Sequence, residues 1–239
     1  MSAADSGILY IVATPIGNLG DITMRALEIL GSVDAVYAED TRVTHKVLER
    51  YQISKPMFSY REAAGGNMVQ RIIDQVISEL QAGKNIAYCS DAGTPGVSDP
   101  GSYLVDKVRE AGLTVVPIPG ASSLPALLSV AGFVGLRPLF VGFLPKKKGH
   151  QTLMKKLKIA LENETADSIV FFESPERILK LLEELAGWEL PLQVCLGREL
   201  TKMHEEIMRG TTAELITILA KRPAIKGEIV LAVQIKEQS

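Results

Sequence analysis

The chain has 239 residues, of which 46% are hydrophobic and 23% charged. That is enough to bury one large α/β core or two smaller ones, and it excludes a disordered chain. A net charge of −2 excludes a global polycation. Two cysteines, Cys89 and Cys195, both in apolar strand-like runs, exclude a disulfide framework and point to buried thiols in a reducing compartment. No pair among His45, His150 and His204 has metal-ligand spacing, so no metal centre is expected.

The first seven residues are polar or small and carry no basic stretch, so no signal peptide is expected. Short apolar, β-branched runs then recur along the chain: ILYIV from Ile8, DAVYA from Asp34, NIAYC from Asn85 and TVVPI from Thr114. PLFVG from Pro138, SIVFF from Ser168, LQVCL from Leu192 and IVLAV from Ile229 follow. Amphipathic segments lie between them. Val69, Ile72, Ile73, Val76, Ile77 and Leu80 form one helical stripe, and Ile178, Leu179, Leu181, Leu182 and Leu185 form another. Strands alternating with such helices predict an α/β fold with mostly parallel sheet, buried on both sides. Turn residues concentrate in PIPGASSLP, Pro117 to Pro125, and the junction between two α/β domains, 1–118 and 119–239, is placed there. The longest uncharged stretch, Ala111 to Leu136, is broken by Pro117, Pro119 and Pro125, so no membrane span and a cytoplasmic protein are expected.

Ligands of open α/β sheets bind beyond the carboxyl ends of strands, so chemistry is sought in the loops that follow them. TPIGNLGD, Thr14 to Asp21, follows the first strand. It is neither GxGxxG nor a P-loop, and by itself it reads equally as a tight strand-to-helix turn. SDAGTPGVSDPG, Ser90 to Gly101, holds three glycines, two prolines and two aspartates, more turn chemistry than one connection requires. It presents bare backbone groups and a small wall suited to a nucleoside-sized ligand. Ser98 in GVSDP is no nucleophile elbow, because Pro100 breaks G-x-S-x-G. In PGASS, Ser122 or Ser123 is a natural cap for the following helix. Loops built from backbone and small residues, without a metal cluster or a triad, suit the binding of a reactive cofactor.

Polar clusters elsewhere are candidates for proton work. AEDTR, Ala38 to Arg42, puts Glu39, Asp40 and Arg42 at a strand end, although Asp40 or Thr41 also reads as a helix cap. SYREAAGGN carries Tyr60, Arg61 and Glu62. FESPER and GRELTK carry Glu173–Arg177 and Arg198–Glu199, both read as structural ion pairs at the sheet edge. Charge is unevenly distributed. From Ala111 to Leu161 there is no acid, while Arg137, Lys146, Lys147, Lys148, Lys155, Lys156 and Lys158 supply seven positive charges. Such lysines are often only a solvated helix face, but the missing acids tilt the reading toward phosphate contact.

LYIVATPIGNLGDITMRAL, AEDTR, SDAGTPGVSDPG, GFLP, FESPER and RELTK, in this order from about Ile8 to about Val233, resemble the tetrapyrrole-methylase superfamily. Within it they are most similar to the ribosomal RNA small-subunit methyltransferase I family. The resemblance implies two α/β domains with S-adenosylmethionine in a cleft between them. It also implies 2′-O-methylation of a cytidine in the decoding centre of 16S rRNA, by a homodimer acting on the small subunit or its late precursor. By motif match the cofactor wall involves Pro15, Gly17, Asp91, Ala92, Gly93, Val97 and Ser122, with Phe172, Leu196 and Gly227 from the second domain. Asp40, Arg42, Glu62, Arg198 and Lys202 are the catalytic candidates. Asp40 or Glu62 would take the ribose proton, and Arg42 or Lys202 would position a phosphate or orient that base. Lys146, Lys147, Lys148, Lys155 and Lys156 are the RNA-binding candidates.

Two features depart from the family. Relatives usually read SYHEHN where this chain has SYREAAGGN, so Arg61 stands in place of a histidine and no proton shuttle is carried over there. Many relatives continue into a small C-terminal domain where this sequence stops at Ser239, and no RNA contact of that extension is carried over. Rival readings are a tetrapyrrole-precursor or diphthamide-pathway methyltransferase, which would show a GGDP-like stretch in place of SDAGTPG, and a non-catalytic RNA-binding assembly factor. A hydrolase built on Ser98 is a further rival.

Overall fold

The structure is a computed structural model that describes residues 6–61 and 66–236. Its contacts divide the chain into two compact units, Met1–Ser122 and Ser123–Ser239.

The first unit runs β1 (Ile8–Val12), a 3-10 turn (Leu19–Asp21), α1 (Met24–Ser32), β2 (Ala35–Ala38), α2 (Thr41–Arg50) and β3 (Met57–Ser59). It continues through α3 (Gly66–Gln81), β4 (Ile86–Cys89), α4 (Gly101–Glu110) and β5 (Thr114–Ile118). The strands form one sheet in the order β3-β2-β4-β1-β5, parallel throughout. Helices cover both faces. Leu9, Tyr37, Ile86 and Tyr88 pack on one side with Val69, Ile73, Val76 and Leu80 of α3 and with Leu104 and Val108 of α4. Val12, Val36, Ala87 and Cys89 pack on the other with Ala26 and Leu30 of α1 and Leu48 of α2. Every residue of β2 and β4 is buried, which is why those runs are continuously apolar in sequence.

The second unit comprises α5 (Ser123–Ala131), β6 (Pro138–Phe143), α6 (His150–Glu162), β7 (Ser168–Glu173), α7 (Ile178–Ala186) and β8 (Leu192–Arg198). β9 (Glu206–Thr211), α8 (Thr212–Ala220) and β10 (Ile229–Ile235) complete it. Its sheet has the order β6-β7-β10-β8-β9. Here the expectation of mostly parallel pairing fails: only β6 and β7 run parallel, while β10 lies antiparallel between β7 and β8, and β9 forms a hairpin with β8. A strand buried on both faces is apolar whichever way it runs, so the sequence pattern carries no direction. Two strands escaped the pattern altogether. β3 has three residues, and β9, at the sheet edge, alternates buried and exposed positions with charged side chains. Trp188, Phe171, Leu182, Leu196 and Leu231 lie in the core under α6, α7 and α8.

No helix among the described residues is long and apolar enough to cross a membrane.

Candidate functional site

Three loops that leave the carboxyl ends of the first sheet are tied into one floor. Thr14 and Gly93 exchange both backbone hydrogen bonds, with the Thr14 N–H donating to the Gly93 carbonyl at 2.9 Å and the reverse bond at 3.1 Å. The Thr14 hydroxyl donates to the Ser90 carbonyl, and the Thr94 hydroxyl to the Ala121 carbonyl at 3.1 Å. Gly93 has φ +79°, and a Cβ there would stand 3.1 Å from the Ile16 methyl. A side chain at Gly93 would therefore be strained in its backbone and crowded as well.

A different set of residues, Glu39, Asp40, Arg61, Asp91, Gly96, Ser98, Asp99, Pro100 and Ser102, lines a cavity of about 860 Å³. Each carboxylate is held differently. Asp40 caps α2 through the Arg42 N–H and receives the Arg42 guanidinium on both oxygens, with Nη2 at 2.5 Å from Oδ2. Arg61 adds a second guanidinium at 2.9 Å. Hydrogen bonds from the Arg42 side chain and backbone, with the charges of both arginines, hold the Asp40 carboxyl far below the usual carboxylate range.

Asp99 gathers the SDPG turn. Its carboxylate accepts the N–H groups of Gly96 (2.6 Å), Val97 (3.2 Å) and Gly101 (2.8 Å), and the hydroxyl of the buried Tyr88 at 3.2 Å. Asp91 and Glu39 link β4 to β2: the Asp40 N–H donates to Asp91 Oδ1 at 2.8 Å, and the Asp91 N–H donates to Glu39 Oε2 at 3.2 Å. Burial raises the carboxyl pKa of both. The negative charges of Asp91 and Asp99 push Glu39 up further, against the Asp91 N–H bond and the Arg61 charge.

Of the residues expected from the sequence, Asp40 and Asp91 line this cavity. Arg42 reaches it through Asp40, while its own side chain is 80% exposed. Pro15 and Gly93 are buried in the floor, Val97 is half-buried in the turn below Asp99, Ala92 and Gly17 are exposed, and Ser122 is half-buried. Glu62 lies outside the described residues. The sequence reading named Glu39 and Arg61 in polar clusters without giving either a role, and did not assign Asp99; Glu39 and Arg61 stand just after the ends of β2 and β3, whereas Asp99 stands near the start of α4. Ser98 lines the cavity without a histidine beside it, which leaves a hydrolase triad unsupported. Among the described residues no cluster could hold a metal ion.

In the second unit the RELTK loop is a knot of its own. Arg198 donates to the Glu206 carboxylate at 3.0 Å and to the carbonyls of Lys226 and His204. The expected Arg198–Glu199 pair is therefore replaced by Arg198–Glu206 and Lys202–Glu199. Glu199 leaves the strand in the left-handed region, and its carboxylate meets Lys202 and the Glu228 N–H instead. Lys202 also meets Glu228, at 3.0 Å. Burial lowers the Lys202 pKa, but its two carboxylate partners outweigh that and leave it raised. Glu199 (φ 51°) and Thr201 (φ 66°) sit in the left-handed region, strain that concentrates at functional loops. Gly227, at φ +95°, leaves room for Glu199: a Cβ there would lie 2.4 Å from its Cγ.

Phe172 packs edge-on against Phe140 and Phe143. Leu196 is sealed in the core with no exposed surface, so this chain shows no face of Leu196 open to a ligand. Glu173 and Arg177 form the expected ion pair, and Arg177 also donates to the Leu144 carbonyl at 3.0 Å. Lys146, Lys147, Lys148, Lys155 and Lys156 are all exposed; the charge of Lys146 acts on the Glu176 carboxylate.

The family model for Tetrapyrrole (Corrin/Porphyrin) Methylases matches residues 8–216. "Ribosomal RNA small subunit methyltransferase I" of Thermotoga maritima is 43% identical over 231 residues, covering 97% of this chain and 100% of that one. This chain belongs to the ribosomal RNA small subunit methyltransferase I family. The Synechocystis member is 46% identical and the Bacillus subtilis member 41%, over 95% and 97% of this chain and 78% and 76% of theirs. Solved structures of diphthine synthase (TM-score 0.69, 17% identity, 98% of this chain and 92% of that one) and of a Thermus thermophilus uroporphyrin-III C-methyltransferase share the fold. The latter, complexed with S-adenosyl homocysteine, has a TM-score of 0.65 and 17% identity over 95% of this chain and 97% of its own. The chain is thus a methyltransferase by family, with the two-sheet α/β architecture of its superfamily.

Proposed function

We propose that this protein transfers the methyl group of S-adenosylmethionine to the ribose 2′-hydroxyl of a cytidine in the decoding centre of 16S rRNA. In this reading it acts in the cytoplasm as a homodimer, on the small subunit or its late precursor. The observation that carries the reading is the relationship to the Thermotoga enzyme, end to end at 43% identity.

The first unit fits such a cofactor. Its cavity is of a size that takes a nucleoside-bearing ligand. The Thr14–Gly93 loops offer backbone groups and a glycine cradle, and the Asp91 and Asp99 carboxylates of the cavity suit a ligand carrying ammonium and sulfonium charge. We assign Pro15, Gly17, Asp91, Ala92, Gly93, Val97 and Ser122 to holding it, and Phe172 and Gly227 of the second unit to the same task. Bound S-adenosylmethionine supplies a methyl already activated on sulfur. The remaining work falls to the chain: to align the ribose oxygen with that methyl and to accept a proton. Arg42, whose exposed guanidinium is anchored by Asp40, is suited to a neighbouring phosphate. Arg198 and Lys202 hold the strained RELTK loop in shape. The five exposed lysines of the basic segment supply the RNA contact, which a small macrocyclic or protein-side-chain substrate would not need.

Mass-spectrometric mapping of 16S rRNA from a deletion strain tests this. One ribose methylation is expected to disappear from a decoding-centre cytidine and to return on complementation. An unchanged methylation map would refute the reading.

A further inference from the structure

Four carboxylates line the cavity of the first unit, and their hydrogen bonds sort them. Asp40 is saturated: Oδ1 receives the N–H and Nε of Arg42, and Oδ2 receives the terminal nitrogens of Arg42 and Arg61. A carboxylate clamped by two guanidiniums has little affinity for a proton and no lone pair facing a substrate. Asp99 is saturated by three backbone N–H groups and Tyr88. Asp91 is exposed and bonded through Oδ1 to the Asp40 N–H. Glu39 differs from all three. It is half-buried, the single hydrogen bond to its carboxylate among the described residues is the long one from the Asp91 N–H to Oε2, and Oε1 is left open.

We infer that Glu39 is the group that accepts the ribose proton. The inference rests on the 2′-O-methyl transfer proposed above. As the ribose oxygen bonds to the methyl carbon, its O–H bond breaks toward the Glu39 carboxylate. The electron pair of the breaking S–CH3 bond stays on sulfur, so the products are the methyl ether, S-adenosylhomocysteine and a neutral carboxylic acid.

The surroundings favour that neutral form. Burial, and the negative charges of Asp91 beyond the end of β4 and of Asp99 in the turn, disfavour negative charge on Glu39, against the bond from the Asp91 N–H. Arg61, whose Nε donates to the Glu39 carbonyl at 2.9 Å, is the opposing cation. Arg61 has a second effect. By pairing with Asp40 it removes the neighbouring carboxylate from competition for the proton.

The test is single-turnover methylation of small subunits by the wild type and by Glu39→Gln, Asp40→Asn and Asp91→Asn across pH, with S-adenosylmethionine affinity measured by calorimetry. The wild-type rate should rise with pH through a limb above the ordinary carboxylate range. Glu39→Gln should lose that limb and about 10²- to 10⁴-fold in rate while binding the cofactor within roughly threefold of wild type. A wild-type rate that does not change with pH overturns the assignment, and this arm needs no variant to fold. So does a near-wild-type rate in Glu39→Gln, loss of the limb in Asp91→Asn instead, or a cofactor affinity defect that saturation repairs. A wild type inactive on ribosomal RNA would sink the proposed function itself, and Glu39's role with it.

Discussion

Replacing Asp99 by alanine tests whether the SDPG turn is a built wall or a loose connection. The carboxylate accepts three backbone N–H groups at 2.6–3.2 Å and the hydroxyl of Tyr88, a side chain with no exposed surface. The turn's N–H groups can find water, so each lost bond there costs at most about 1 kcal/mol. The Tyr88 hydroxyl has less access to water, and leaving it unpartnered costs roughly 1–3 kcal/mol. Asp99→Ala should therefore lower stability by about 2–4 kcal/mol, and Tyr88→Phe, which spares the backbone bonds, by about 1 kcal/mol or less. The double variant should show a coupling of about 0.5–1.5 kcal/mol, because both single changes break the same bond. Urea unfolding followed by tryptophan-independent circular dichroism reads these values, and calorimetry should show weakened cofactor binding in Asp99→Ala. Equal, sub-kilocalorie losses in the two single variants would refute the hub. Gly101 belongs to the same device: a Cβ there would lie 2.4 Å from the Tyr88 ring, so the turn closes onto the tyrosine only with glycine.

Three further outcomes are expected. Gly93→Ala forces a side chain into the left-handed region beside Ile16, at a cost of about 1–2 kcal/mol, and should weaken S-adenosylmethionine binding in calorimetry with secondary structure retained. The Glu206 carboxyl is lowered from 4.5 to about 2 by the hydrogen-bonded Arg222 side chain, with Arg198 helping. Its stabilisation is thus complete above about 4.5 and lost as pH falls through about 2, and Glu206→Gln should flatten that part of an acid-unfolding curve. Replacing Lys146, Lys147 and Lys148 together by alanine should weaken RNA binding and reduce the salt slope of the binding constant by roughly 2, read from filter binding at several salt concentrations.

Much of the architecture was legible because burial writes itself into a strand locally. The eight apolar runs all became strands, and the two helical stripes became the buried faces of α3 and α7. The glycine- and proline-rich loops marked the strand ends where the cavity formed, since those turns need backbone freedom that only such residues supply. AEDTR likewise announced polar chemistry at the end of β2.

What stayed hidden depends on which distant residues meet. Hydrophobicity records burial and not direction, so nothing in IVLAV revealed that β10 would insert antiparallel between β7 and β8. Asp40 and Glu39 are neighbours in sequence and look equally able to take a proton. Pairing of β2 with β3 sets Ala38 beside Ser59 and delivers Arg61, twenty-one residues on from Asp40, to one carboxylate's side chain and the other's carbonyl. The sequence determined that acids would gather at this strand end; the fold alone decided which of them is neutralised by arginine and which is left open, because an ion pair is set by position in space.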